Sequence, residues 1–368
     1  MLRRSKLRAS GLVLPVVSLV IASAALVGTM LPAARADTAP ATSPPVQEGR
    51  TLYVAAGAKS GSGSSAKPFA TLNAALQMAK AGDTVSVAPG RYQGPVTTAR
   101  AGMPGAPIVI QGWGARLEGD GSGRLVTIGH SYVTFEGFDV SHADKGIWVE
   151  GANHVRIVGN VVHDVGGECI RLKYRAVANE VAGNRIGPCG LVGFQPAGTK
   201  RNGEGVYIGT APEQLSRNPT PEPDASDRNW VHDNTVTTAA ECVDVKEGAS
   251  RNVVEFNTCT GGQDVNGSSF DSRGNGNLFL SNTATGGKGA GIRLGGDTPN
   301  DGIGNTVRGN VLRNNGGYGI KLMRKPQATI CGNQIEGNAS GVSNDSSMRP
   351  AAVCPTLPPI PRDGVGGL

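Results

Sequence analysis

Glu204, Glu241, Asp244, Lys246, Asp271 and Arg273 collect acids and bases in one part of a 368-residue chain. Clustered carboxylate oxygens suit a hard divalent cation such as Ca²⁺. A lysine beside them can take a proton from carbon if its surroundings lower its pKa. A nearby guanidinium can stabilise the anion that then forms. Residues so far apart in sequence meet only if the chain returns to the same place at regular intervals.

The sequence has such a period. Asn160, Asn184, Asn234, Asn257, Asn282, Asn310 and Asn333 recur with gaps of 24, 50, 23, 25, 28 and 23. The long gap reads as a double step widened by an insertion. Repeats of this length indicate a solenoid. The segments leading to each Asn, such as NHVRIVGN (153–160) and NVVEFN (252–257), alternate apolar and polar residues, as strands with one buried face do. Asn tolerates a left-handed turn, and its side chain can bond the Asn of the next coil as a ladder. A second strand family runs GIWVE (146–150), CIRLK (169–173), GVYIG (205–209), CVDVK (242–246), SFDSR (269–273), GIRLG (291–295) and GIKLM (319–323). Short strands and turns without helical period describe an all-β, right-handed parallel β-helix. An amphipathic helix near residues 71–80, with Thr71 as its N-cap, would cover the open end of the solenoid.

Composition agrees with this reading. The chain has 55 Gly and only 4% aromatic residues, without a collagen period and without the residues of a helical bundle. Residues 1–36 read as a cleavable secretory signal, with a basic start, an apolar run and Ala34-Arg35-Ala36 at its end. Residues 37–50 read as a linker, 51–343 as the β-helix domain, and 344–368 as a Pro/Gly-rich irregular tail. The formal charge is +6, but the signal carries five cations and no anion, which leaves the remainder near +1. A basic footprint for nucleic acid is therefore lacking. No later segment is apolar enough for stable membrane insertion, so a secreted monomer is expected. Six cysteines in an exported chain point to disulfides. Their short spacings favour sequential pairs: Cys169 with Cys189, Cys242 with Cys259, Cys331 with Cys354. No Cys-x-x-Cys suggests zinc.

Stacking places equivalent residues of successive coils ~4.8 Å apart. One outward column then reads Trp148, Arg171, Tyr207, Asp244, Asp271, Arg293, Lys321, and a leading column includes Glu168, Glu204 and Glu241. Neighbouring carboxylates in a column repel unless a proton, a cation or a metal offsets them. The insertion at 210–229 should wall the groove, and its Glu222, Asp224 and Asp227 read as solvated loop acids or further cation ligands.

On these residues the chain resembles polysaccharide lyase family 6, the group of chondroitinase B and the β-helical alginate lyases. AECVDVKEGASRNVVEFNT (240–258) resembles its calcium-and-lysine segment, FDSRGNGN (270–277) the segment of its catalytic arginine, and GAGIRLGG (289–296) the next coil. The resemblance implies Lys246 as base and Arg273 as its partner in catalysis. It implies Glu241 as a Ca²⁺ ligand. A further family ligand position falls on Ala239, so Glu204 or Asp244 would supply that oxygen. Tyr207, Arg171, Asp271, Arg293 and Lys321 then line the path of an acidic polysaccharide, with Tyr207 donating a proton or stacking on a sugar. The chemistry is abstraction of the C5 proton of a uronate and expulsion of the C4 oxygen. Arg171, Arg293 and the cation are expected to lower the pKa of Lys246. Three other readings use the same residues. Asp244 and Asp271 could serve a glycoside hydrolase, Lys246 a uronate C5-epimerase, and the whole groove a non-catalytic carbohydrate-binding surface.

Overall fold

The computed structural model describes residues 49–59, 61–196, 202–356, 359, 360 and 362. The segment read as a secretory signal, most of that read as a linker and the last residues of the tail lie outside them. Alternating apolar residues point inward along each short strand and polar ones point out, and every strand pairs in parallel with its counterpart one coil on. The result is a right-handed parallel β-helix built from three sheets of 11, 9 and 10 strands among the described residues. The expected column is the observed register of the nine-stranded sheet: Trp148 pairs with Arg171, then Tyr207, Asp244, Asp271, Arg293 and Lys321.

The helix Leu72–Met78 starts at Thr71, whose hydroxyl accepts from the Ala74 amide at 3.3 Å. Leu72, Ala75 and Leu76 are buried and close one end of the core. Inside, valine, isoleucine, leucine and phenylalanine side chains stack from coil to coil, and Phe135 lies flat on Phe138 with ring centres 4.4 Å apart.

An asparagine ladder runs through the solenoid from Asn160 to Asn333. Asn160 donates to Asn184, Asn184 to Asn234, Asn234 to Asn257, Asn257 to Asn282, Asn282 to Asn310 and Asn310 to Asn333, all at 2.9–3.1 Å. A second ladder joins Asn179, Asn229, Asn252 and Asn277. Two expectations change here. The left-handed residue is not the asparagine but the one before it: Gly159, Gly183, Asp233, Phe256, Ser281, Gly309 and Gly332 all have φ between 53° and 67°. Glycine serves best there because it has no Cβ to strain. The 50-residue gap is also not a double step. Asn184 bonds Asn234 directly, so this is one coil enlarged by excursions on both sides of the strand Val206–Ile208.

The disulfides are Cys169–Cys189, Cys242–Cys259 and Cys331–Cys354. The first two clip coils that carry the acidic and basic cluster. Residues 344–356 contain no helix or strand. Among the described residues, no helix is long and apolar enough to cross a membrane.

Candidate active site

Three adjacent strands, Val206–Ile208, Val243–Val245 and Ser268–Ser272, bring the central residues together. Lys246 follows the second strand and is 8% exposed. Its Nζ lies 2.6 Å from Asp244 Oδ2 and 4.9 Å from the centre of the Tyr207 ring. Burial, the largest influence on this amine, favours its neutral form. Asp244, with Tyr207 and Glu204, outweighs burial and holds the ammonium above its usual range. The expectation of a lowered pKa therefore fails for the metal-free site. The cation beside Lys246 is Arg273, and the carboxylate is closer than any cation.

Tyr207 is buried, with Arg171 over its ring at 3.9 Å. Burial raises its pKa, so the phenol is protonated. Its hydroxyl makes no hydrogen bond to any described residue. A protonated hydroxyl with no hydrogen bond to a described residue can donate to an incoming oxygen.

The leading column resolves into two halves. Glu168 is ion-paired to Lys145 and, at 3.0 Å, to Arg171. Burial pushes its pKa up, but these two cations more than offset that. Among the described residues, Glu204 and Glu241 have no such ion-pair partners. Burial, then the neighbouring carboxylates, pushes Glu204 up to about 7 and Glu241 up to about 8. Carboxylate oxygens of Glu204, Glu241 and Asp244 all lie within 4.8 Å of one another, and Asp244 Oδ1 has no hydrogen-bond partner. A buried all-oxygen donor set with surplus negative charge fits a hard divalent cation.

This arrangement makes a stability prediction. A carboxyl whose folded pKa lies above its unfolded value of 4.5 costs nothing below that value. The cost grows as pH rises from that value to the folded pKa and is constant above it. The metal-free protein should therefore lose melting temperature as pH rises from about 5 to about 8, the window set by 4.5 and by the values near 7 and 8. Glu241→Gln should flatten that slope, and Ca²⁺ should recover the loss. A slope unchanged by both Glu241→Gln and Ca²⁺ would rule this origin out.

Asp271 is fully buried and engaged by Arg293, with Arg273 Nε at 3.5 Å. Burial pushes its pKa up, but the two guanidiniums bring it below the ordinary range. Asp244 and Asp271 are adjacent in register, but each is held by a cation, and neither is left to act as the proton donor that hydrolysis needs. Arg273 is 23% exposed and also faces Glu247 at 3.6 Å and Asp297 at 3.4 Å. Arg293 and Lys321 continue the column, and Lys321 has no carboxylate within 4 Å among the described residues.

Sequence reasoning missed Glu247. Strand alternation assigns position 247 to the side opposite Lys246. The strand ends at Val245, however, and the chain turns at Gly248 with φ 88°. Glu247 is thereby buried under Arg273, and burial raises its pKa. Glu222 is exposed and Asp227 half-buried, while Asp224 is buried and engaged within the protein. Asp224 accepts from the amides of Tyr174 (2.7 Å) and Arg175 (2.9 Å) and from the Thr210 hydroxyl (2.6 Å), pinning the insertion to the solenoid. Asp227 pairs with Arg251 at 2.7 Å. The aspartate signal for a pinned loop exists only once the positive-φ amides at Tyr174 and Arg175 are known.

Two family models match the sequence. One, described as a right handed beta helix region, covers residues 222–352, and one, described as a protein of unknown function (DUF1565), covers residues 55–99. No curated protein matches. The fold is similar to that of an alginate lyase from Paenibacillus sp. str. FPU-7, with 22% identity, TM-score 0.62, and 80% of this chain and 99% of that one covered. It is also similar to the pectate lyase Pel9A, with 16% identity, TM-score 0.59, and 84% and 82% covered. A third similar structure is ORF18 of Geobacillus virus E2, with 14% identity, TM-score 0.57, and 80% and 59% covered. At these identities the likeness is one of fold, and two of these three solenoids are polysaccharide lyases.

Proposed function

We propose that the protein is a secreted polysaccharide lyase that cleaves a uronate-containing polymer by β-elimination, with Lys246 as base. The observation that carries this reading is a buried lysine 4.9 Å from the ring of a buried tyrosine whose hydroxyl makes no hydrogen bond to a described residue, with arginines on the same sheet. The lyases of similar fold and the resemblance of residues 240–258 and 270–277 to polysaccharide lyase family 6 support it. The three disulfides suit an exported protein.

In this mechanism neutral Lys246 Nζ takes the C5 proton. The C5–H electron pair forms the C4–C5 double bond, the C4–O bond breaks, and the Tyr207 hydroxyl protonates the leaving oxygen. Arg273, held by Asp271, Glu247 and Asp297, is placed to clamp the uronate carboxylate. Glu204, Glu241 and Asp244 would hold Ca²⁺, which when bound would neutralise carboxylate charge in the site.

The product of elimination is a 4,5-unsaturated uronate, which absorbs in the ultraviolet; hydrolysis and epimerisation give no such chromophore. Alginate, pectate, glucuronan, chondroitin and dermatan should be assayed for this absorbance with and without chelator. The expected result is absorbance growth on at least one polymer, slowed by chelator. New reducing ends without absorbance would replace the lyase by a hydrolase, and saturable binding without turnover would make the groove a binding surface.

A further inference from the structure

The same sheet carries a second feature, toward the N-terminal end of the groove. A cavity of about 390 Å³ is lined by Arg124, Lys145, Trp148, Arg171, Lys173 and Arg217, with Asp144 and Glu168 its only acidic lining among the described residues. The indole of Trp148 organises the cations. Arg124 lies 4.1 Å, Arg171 5.1 Å and Lys173 5.6 Å from its ring centre, and its Nε1–H donates to Glu150 at 3.1 Å. Some of this charge is spent inside the protein: Arg124 pairs with Glu150 at 2.7 Å, and Lys145 with Glu168.

Arg171 is also paired with Glu168, at 3.0 Å, whereas Lys173 and Arg217 are left with little or no counter-charge among the described residues. Lys173 is 5% exposed, and the one carboxylate of the described residues within 4 Å, that of Glu150, stands at that limit. The buried Nε of Arg171 has no hydrogen-bond partner. Arg217, on the short 3-10 helix Pro212–Arg217 of the insertion, has no ion-pair partner among the described residues. Burial, then Arg171, lowers the pKa of Lys173, as expected of an ammonium short of counter-charge. A buried cation without an anion is costly unless an anion arrives.

We propose that this cavity is a distal anion subsite that takes a carboxylate of the same polyuronate chain, so that the protein reads its substrate at two separated points. Trp148 stands three strands from Asp244 in register, about 14 Å at the spacing of paired strands, and Arg171 touches both the cavity and the Tyr207 ring. An extended chain reaching both points spans several sugars. The substrate class is then a run of consecutive uronates, not an isolated uronate among neutral sugars. The identity of that chain rests on the lyase reading; the preference of the cavity for anions does not.

Trp148 supplies the reporter. The chain has three tryptophans, and Trp113→Phe with Trp230→Phe leaves Trp148 alone. In that background and with Lys246→Arg to prevent turnover, hexagalacturonate or hexamannuronate should change Trp148 emission saturably. Cellohexaose should not, and sodium sulfate should compete only weakly. Lys173→Gln should weaken the hexamer about tenfold or more, as loss of a hydrogen bond to a charged group does. Arg217→Gln, on an exposed helix where folding is not at stake, should weaken it in the same direction. No saturable response to either hexauronate overturns the proposal, as do an equal response to cellohexaose, competition by sulfate as strong as by the hexamer, or affinity unchanged in both variants. Binding without turnover on any polymer would keep the subsite and remove the lyase; turnover without a Trp148 response would do the reverse.

Discussion

Replacing Lys246 by arginine should lower kcat/KM on the uronate polymer by about 10²–10⁴-fold, the share general-base catalysis commonly supplies. Arginine keeps the positive charge that Asp244 requires at 2.6 Å, but its guanidinium does not give up a proton at working pH. Lys246→Ala should lose activity to a similar degree and also melt earlier. It strands Asp244, 1% exposed, without a counter-ion, and breaking a buried pair commonly costs about 3–5 kcal/mol. The two variants together separate chemistry from folding. Initial rates by ultraviolet absorbance and melting by circular dichroism provide the measurements. An arginine variant with near-native rates would remove Lys246 as base. Because Asp244 holds the ammonium above its usual range, the native rate should climb with pH on the acid side of its profile, as the neutral fraction of Lys246 grows.

The second large effect should come from Tyr207→Phe. The change deletes one oxygen that bonds to no described residue, so melting should shift little. The ring remains beneath Arg171 at 3.9 Å and Lys246 at 4.9 Å. kcat should nevertheless fall by about 10²-fold or more if the hydroxyl protonates the leaving oxygen, while KM changes little. A fall confined to KM would mean that Tyr207 only positions a sugar. An unchanged kcat would move the proton donor elsewhere.

The sheet that carries these residues was legible from period alone. Apolar alternation and recurring asparagines fixed which residues align, and the column from Trp148 to Lys321 is the register observed. The same arithmetic brought Glu204, Glu241 and Asp244 together. Ion pairing was less legible, because it depends on a few ångströms of side-chain reach. Asp244 turns to Lys246, Asp271 to Arg293, and Glu168 to Lys145 and Arg171. Turns were least legible. Glu247 leaves the strand pattern at Gly248, and Asp224 finds its partners in amides at Tyr174 and Arg175 that no side-chain pattern marks.

The direct bond from Asn184 to Asn234 has a consequence for how such a molecule can change. The ladder fixes where a coil begins and ends, but not how much chain lies between. A segment can leave after Gly209 and return before Asn229 at almost any length, and every strand keeps its address. The wall of the groove, with Arg217 on it, is in that sense an exchangeable part mounted on an invariant frame. On the proposed lyase reading, descendants of such a chain can alter which polymers they accept by exchanging that single segment, without touching the lysine and tyrosine beneath it.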